Sequence, residues 1–255
     1  MKQKIKLSVI IPAYNEEKRI GPTIVDIDRY LTKQKYNYQI IVVIDGAKDK
    51  TFQVVKKYEP IVNNLEIINN HENHGKGYVV RQGLLEAKGE YRLFMDADNS
   101  TTIDHVEKFF PFFKEGYDLV IGSRDLEESK LEKKQAWWKI MLGNMGNIMI
   151  QMVGGLWGIP DTQCGFKILS KQAVKKVCSR MKIDRWGFDI EMLVLAKKMG
   201  FKIKEVPVVW KNDEASKVSI MSYFNTLKEL FQIRLNLILG KYNINKDNEN
   251  KTKKG

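Results

Sequence analysis

The chain has 255 residues, of which 43% are apolar and only two, Cys164 and Cys178, are cysteine. This is enough for one large domain or two small ones with a substantial core, but too little cysteine for a disulfide framework, so both thiols read as buried in a reducing compartment. The formal net charge of +12 calls for anionic partners such as nucleic acid, a phosphorylated small molecule or an acidic membrane surface. Residues 1–20 lack an apolar run long enough for a signal peptide, which leads us to expect a cytoplasmic protein.

The first 120 residues alternate two periodicities. Short apolar runs rich in Val and Ile occur at 6–15, 38–46, 64–70, 91–98 and 118–124, and helical patterns lie between them at about 21–35, 50–59, 76–88 and 103–115. Near-continuous apolar strands separated by helices predict an α/β, Rossmann-like fold: a mostly parallel central sheet with helices on both faces. Ligands of such sheets bind outside the carboxyl ends of the strands. Asn15, Asp45, Asp96, Asp98, Ser123 and Arg124 fall at those ends and are expected to converge on one crevice.

The second half is less regular. It predicts a helix over 136–158, a strand near 164–170, helices at about 171–180 and 187–199, an alternating strand over 201–210 and a long amphipathic helix over 219–238. The tail 243–255 is polar and expected to be disordered. We see no linker or repeat, so residues 1–242 are read as one domain. From Ile140 to Pro160 no residue is charged, which matches the length of a membrane span of about 20 residues. Asn144, Asn147, Gln151 and five glycines make it a poor span, leaving a buried helical pair or a face lying in the membrane interface.

The run "YRLFMDADNS" (91–100) ends in two aspartates one residue apart. If the strand continued, both would point to the same face and repel. One could cap the helix that follows; the alternative is a hard dication, and Mg²⁺ prefers one or two carboxylates shared with phosphate oxygens. "NHGKGYVVRQG" (73–83) lacks the spacing of a phosphate loop; its glycines could bring backbone near a ligand with Lys76 and Arg81 as cations, and the alternative is a helix N-terminus with a solvated lysine. "HENH" (71–74) has its histidines three apart, not the four a zinc helix needs.

Taken together, "SVIIPAYNEE", "VVIDGAKDKT", "NHGKG" and "MDADNST" resemble the nucleotide-sugar half of family-2 glycosyltransferases with the GT-A fold. "VIGSR", "DTQCGFKIL", "RWGFDIEML", "EVPVVW" and "SKVS" are similar to segments of polyprenyl-phosphate sugar transferases. Dolichyl-phosphate glucosyltransferases are most similar, then dolichyl-phosphate mannose synthases. The resemblance covers about residues 5–235, with 1–124 as the donor half and 125–242 as the acceptor half with membrane-facing helices. It implies that Pro12, Ala13, Tyr14, Asn15 and Glu16 line the nucleoside pocket and that Asp45 holds the base or ribose. It further implies that Asp96 and Asp98 bind Mg²⁺ or Mn²⁺ with the donor diphosphate, that Arg124 meets the acceptor phosphate, and that Lys217 lies over the diphosphate. Two departures stand out. Many relatives have two aspartates where this chain has Ile44–Asp45, and processive relatives carry Gln-X-X-Arg-Trp where this chain begins with Lys182 in "KIDRW".

The expected reaction is inverting transfer of a hexose, from UDP-glucose or alternatively GDP-mannose, to a polyprenyl phosphate. A hydroxyl acceptor would need a general base, whereas a lipid phosphate is already anionic and needs cations to position it. Lys76 is expected at the donor, and Lys167 or Arg185 as helpers of Arg124. Asp161, Asp189 and Glu191 are the carboxylates available as a base, although Asp189 and Glu191 could equally cap a helix and pair with Arg185. An embedded acceptor implies docking on the membrane from the cytoplasmic side, through 140–160, the adjacent Trp137 and Trp138, and the last helix. Two other readings are a transferase acting on a glycan hydroxyl and an inactive nucleotide-sugar-binding protein. The basic residues are dispersed and carry no nucleic-acid motif, so no nucleic-acid partner is expected.

Overall fold

A computed structural model of the chain describes residues 4–62, 64–131, 137–211 and 220–244, with the backbone alone at 130, 131, 137–145, 220, 221 and 223. In chain order the elements are β1 (Leu7–Ala13), α1 (Ile20–Leu31), β2 (Tyr38–Asp45), α2 (Thr51–Tyr58), β3 (Leu65–Asn70), α3 (Lys76–Glu86), β4 (Tyr91–Met95) and α4 (Val106–Lys114). They continue with β5 (Leu119–Ser123), β6 (Lys130–Leu131), α5 (Trp137–Gly154), β7 (Phe166–Ser170), α6 (Lys171–Val177), α7 (Phe188–Lys198), β8 (Ile203–Pro207), β9 (Val209–Trp210) and α8 (Ile220–Ile238). The main sheet runs β3-β2-β1-β4-β7-β5-β8. All its neighbours pair in parallel except β7, which is antiparallel to both β4 and β5. The expected α/β architecture is therefore the observed one.

The apolar strands are explained by burial on both faces. Every residue of β1 and β2 is buried, and alternate positions serve two cores. Ile10, Ile41 and Val43 pack with α3, α6 and α7. Val9, Ile11, Ile40 and Val42 pack with α1, α2 and α4. Burying each such side chain stabilises the fold by roughly 1.5–3 kcal/mol. Because the βα units are parallel, β1, β2 and β4 end on one rim, which is where the polar residues after each strand collect.

The structure departs from the expected elements in two places that affect the rim. The strand expected over 91–98 stops at Met95. The Ser100 N–H donates to Asp98 Oδ1 at 2.9 Å and Asn99 adopts φ 56°, so the chain turns within the aspartate pair instead of extending through it. The strand expected over 201–210 is divided between two sheets. β8 pairs with β5, while the two residues of β9 pair with β6, a ladder too short to leave a periodic signal.

Helix α5 packs against α7 and α8. Along 146–157 one side enters the core (Ile150 and Leu156, 7% and 0% exposed), while Ile148, Met152 and Trp157 face outward. Among the described residues no helix is long and apolar enough to cross a membrane. The side chains of Trp137 and Trp138, and residues 245–255 of the tail, lie outside what is described.

Candidate active site

The loops after β1 and β2 are stitched to each other. The Lys48 N–H donates to Asn15 Oδ1 (2.8 Å), the Glu16 N–H to Thr51 Oγ1 (2.7 Å) and the Glu17 N–H to Asp49 Oδ2 (3.1 Å). Asn15 takes φ 55°, a left-handed conformation that asparagine tolerates better than most residues. The Glu16 carboxylate receives the Arg19 guanidinium at 2.6 and 2.8 Å. Tyr14 and Asn15 are partly exposed on the rim. Pro12 and Ala13 are not: they lie inside β1, opposite Val43 and Ile44. Their buried side chains fill the sheet, which corrects the expectation that they line a pocket.

Asp45 also departs from its expected role. It is 3% exposed. Its Oδ1 accepts the His74 N–H at 2.7 Å, and its Oδ2 accepts the Gly75 N–H and the Asn73 Nδ2, both at 2.9 Å. These bonds leave the carboxylate little capacity for a base or ribose; its work is to fold "NHGKG" over the end of β2. Gly75 (φ 104°) and Gly77 then seat that loop against the segment before α7. A Cβ on Gly75 would meet the Asp184 carbonyl oxygen at 2.4 Å, and one on Gly77 would meet Phe188 Cβ at 2.6 Å.

This folding delivers Lys76 to the aspartate pair. Its Nζ lies 2.6 Å from Asp96 Oδ1, with the two side chains 24% and 33% exposed. Burial alone would lower the ammonium's pKa, but Asp96, Asp189 and Asp98 outweigh it and the net direction is upward. The other carboxylate oxygen of Asp96 lies against Gly165, where a Cβ would sit 2.0 Å away, so only glycine fits there. Burial, and then the charge of Asp96, push the Asp98 carboxyl above its ordinary value. A further cation would relieve that repulsion.

These residues fit a dication shared with a phosphate ligand. They supply two hard oxygen donors, both partly open, and among the described residues no group of three or more His, Cys, Asp and Glu forms an all-protein cage. Behind them lies a buried pair, Lys167 and Asp189, with Nζ 2.6 Å from Oδ1. Lys167 also donates to the Cys164 carbonyl at 2.6 Å and is completely buried. It therefore cannot reach an acceptor phosphate, contrary to expectation, and its charge is used on Asp189.

The expected base residues are also held by neighbours, and one of them orients Arg124. Arg124 donates from Nε and Nη2 to the two oxygens of Asp161, each at 2.8 Å, while its own backbone N–H donates to Asp161 at 2.8 Å. The guanidinium also lies 5.5 Å from the Trp210 ring centre. Burial would raise the Asp161 carboxyl, but Arg124 more than offsets this and holds it below its ordinary value, so Asp161 is an orienting anion and not a base. Glu191 is fully buried, two residues from Asp189 on α7 and so on a different face. It accepts the N–H groups of Lys182 and Ile183 and the Tyr242 hydroxyl at 2.7–3.0 Å. It pins the approach to α7 and the end of the chain, which corrects its expected catalytic role. Arg185 pairs with neither Asp189 nor Glu191; it is exposed, with Cγ packed over Gly75. Lys217 lies outside the described residues.

Two groups escaped the sequence reading. Gly165 carries no signal except its place before a strand. Glu205, on β8, accepts the Asp161 N–H at 3.3 Å, and burial is the main cause that pushes its carboxyl up to about 7.

Comparison with known proteins places this geometry in context. Residues 8–178 match the family described as glycosyl transferase family 2. The chain is similar to a dolichyl-phosphate beta-glucosyltransferase of Trichomonas vaginalis, 34% identical over 252 residues, covering 92% of this chain and 76% of the relative. It is also 33% identical over 266 residues to the dolichyl-phosphate beta-glucosyltransferase of Saccharomyces cerevisiae (96% and 78%). Among solved structures it resembles the glucosyl-3-phosphoglycerate synthase of Mycobacterium tuberculosis, in complex with Mn²⁺, UDP and glucosyl-3-phosphoglycerate. There the TM-score is 0.65 and the identity 16%, covering 91% of this chain and 79% of that one, a likeness of fold.

Proposed function

The chain belongs to glycosyl transferase family 2 and is a glycosyltransferase, and on that premise we propose that it transfers a hexose from a nucleotide sugar to a polyprenyl phosphate. UDP-glucose is the favoured donor and GDP-mannose the alternative. The transfer inverts the anomeric centre: an acceptor phosphate oxygen forms the new bond to the anomeric carbon as the bond to the donor diphosphate breaks and the nucleoside diphosphate leaves.

The observation that carries this reading is the state of the candidate bases. Asp161 is held by Arg124, Asp189 by Lys167, and Glu191 by backbone and tyrosine donors. A hydroxyl acceptor would require a carboxylate free to accept a proton at the reacting centre, and these three are committed. A phosphate monoester arrives as an anion and requires none, which agrees with the acceptor named in the relatives. Arg124, oriented by Asp161 and stacked near Trp210, and the exposed Arg185 are the cations proposed to position it.

At the donor end Asp96 and Asp98 would hold Mg²⁺ or Mn²⁺. Such an ion, when bound, compensates the charge of the leaving diphosphate. Tyr14 and Asn15 form the rim proposed to receive the nucleoside, with Glu16 behind them on Arg19, and Lys217 is proposed to lie over the diphosphate.

A lipid acceptor also requires the enzyme to reach a bilayer. Phe224, Phe231, Leu235, Ile238 and Leu239 on and after α8 are 52–70% exposed, as are Ile148, Met152 and Trp157 near α5, at 56–63%. Together with the net charge of +12, this apolar face suits an anionic lipid surface, so the enzyme is proposed to sit peripherally on the cytoplasmic face of a membrane. One assay tests these points together: labelled UDP-glucose or GDP-mannose, with Mg²⁺ or Mn²⁺, against polyprenyl phosphate in anionic vesicles. The expected product is a chloroform-soluble glycolipid, formed by protein that floats with the vesicles. Transfer to a soluble glycan hydroxyl with none to the lipid would overturn the reading.

A further inference from the structure

The Lys76 ammonium occupies the place where the proposed dication should be held. Its backbone is fixed by the two close-packed glycines on either side, Gly75 and Gly77, and by the hydrogen bonds from His74 and Gly75 to Asp45. The anchor is rigid, so exchange of its partner falls to the flexible four-carbon stem. The Nζ rests on Asp96 at 2.6 Å and lies 5.7 and 6.0 Å from the ring centres of Trp186 and Phe188, an aromatic floor over which an ammonium can move while remaining favourably placed. The other carboxylate oxygen of Asp96 lies over Gly165, in the space a Cβ would take. A dication arriving at Asp96 therefore meets a positive charge already bonded to that carboxylate, and the two repel unless another anion accepts the ammonium.

We infer that Lys76 is an exchangeable counter-cation of the metal site. It neutralises Asp96 while the donor is absent, yields that carboxylate to the dication, and transfers its ammonium to the donor diphosphate. Metal and nucleotide then bind synergistically: each is weak alone, and each removes an obstacle to the other. The inference rests on the proposed placement of the dication at Asp96 and Asp98, and it adds that the chain itself suppresses metal loading until a donor is present.

The test measures Mn²⁺ binding, not turnover, by the electron paramagnetic resonance signal of the free ion, in wild type, Lys76→Met, Lys76→Arg and Asp96→Asn, with and without UDP. Without UDP, Lys76→Met should bind Mn²⁺ about tenfold tighter than wild type, Lys76→Arg should match wild type, and Asp96→Asn should lose binding. UDP should tighten binding strongly in wild type and much less in Lys76→Met. A merely structural role for Lys76 would not tighten metal binding when the residue is removed. If Lys76→Met binds Mn²⁺ no better than wild type while Asp96→Asn loses it, the exchange is overturned and the metal site stands. If Asp96→Asn binds like wild type, the metal site itself is overturned, and the exchange falls with it.

Discussion

The rim formed by β1, β2 and β4 and the segment from β5 to α7 both carry carboxylates at key points, but they hold them differently. On the rim, Asp96 and Asp98 remain partly open. Asp96 is paired with the partly exposed Lys76, and Asp98 is destabilised in its charged form by burial and by Asp96. Between β5 and α7, Asp161, Asp189 and Glu191 are each buried and bonded to fixed partners. The first arrangement leaves oxygens that a ligand can reach; the second commits them to partners within the fold, although burial still pushes the Asp189 and Glu191 carboxyls up. The contrast teaches that neither residue type nor proximity to the crevice marks a catalytic carboxylate here. What marks it is a carboxylate oxygen still open to a ligand.

Two substitutions separate these cases. Asp98→Asn should reduce transfer by roughly a thousandfold, about 4 kcal/mol of transition-state stabilisation. It should leave thermal stability unchanged or slightly higher, because the charge removed is one the fold disfavours. Glu191→Gln should do the reverse: the new amide faces N–H donors, so stability should fall by roughly 3 kcal/mol, while the protein that remains folded turns over normally. Urea unfolding and initial rates on the same preparations make the comparison. Wild-type rates for Asp98→Asn, or a large kcat loss for fully folded Glu191→Gln, would erase the distinction between the regions.

The same contrast explains what was legible in the sequence. The parallel βα units announce themselves because strands buried on both faces read as unbroken Val and Ile runs, and their polar ends must lie on one rim. Asp96 and Asp98 were found that way. The partners in the second half were not, because they are set by insertion of the antiparallel strand β7 between β4 and β5. That insertion brings Lys167 to Asp189 and places Asp161 beside Arg124, 22 and 37 residues apart, with no periodicity to reveal either pair. Asp45 was misread for a similar reason: the loop after β3 folds back 28–30 residues onto the end of β2, and only the three-dimensional path shows that it consumes the carboxylate. Lys76 was assigned to the donor from its glycine setting, but nothing in the spacing points to Asp96.

The smallest effect concerns a carboxylate between the two regimes. Glu205 lies beside Asp161, and burial, reinforced by the charges of Asp161 and Asp125, raises its carboxyl from the ordinary value of 4.5 to about 7. A raised carboxyl means that the folded protein keeps a proton which the unfolded chain releases between about pH 4.5 and 7. The unfolded state then binds fewer protons than the native state, so the contribution of Glu205 to stability falls as pH rises through that window and is level above it. Because the group is only half-buried, solvent screening discounts the effect to about 1 kcal/mol. Glu205→Gln, which keeps an oxygen for the Asp161 N–H and cannot ionise, should therefore match wild type near pH 5 and exceed its unfolding free energy by about 1 kcal/mol near pH 8. Urea unfolding at the two pH values reads this difference. Parallel pH profiles for wild type and variant would show that Glu205 ionises normally and belongs with the satisfied carboxylates around Arg124. Profiles that separate between about pH 4.5 and 7 and stay apart above it would show that even the region that commits its carboxylates leaves one of them only partly paired.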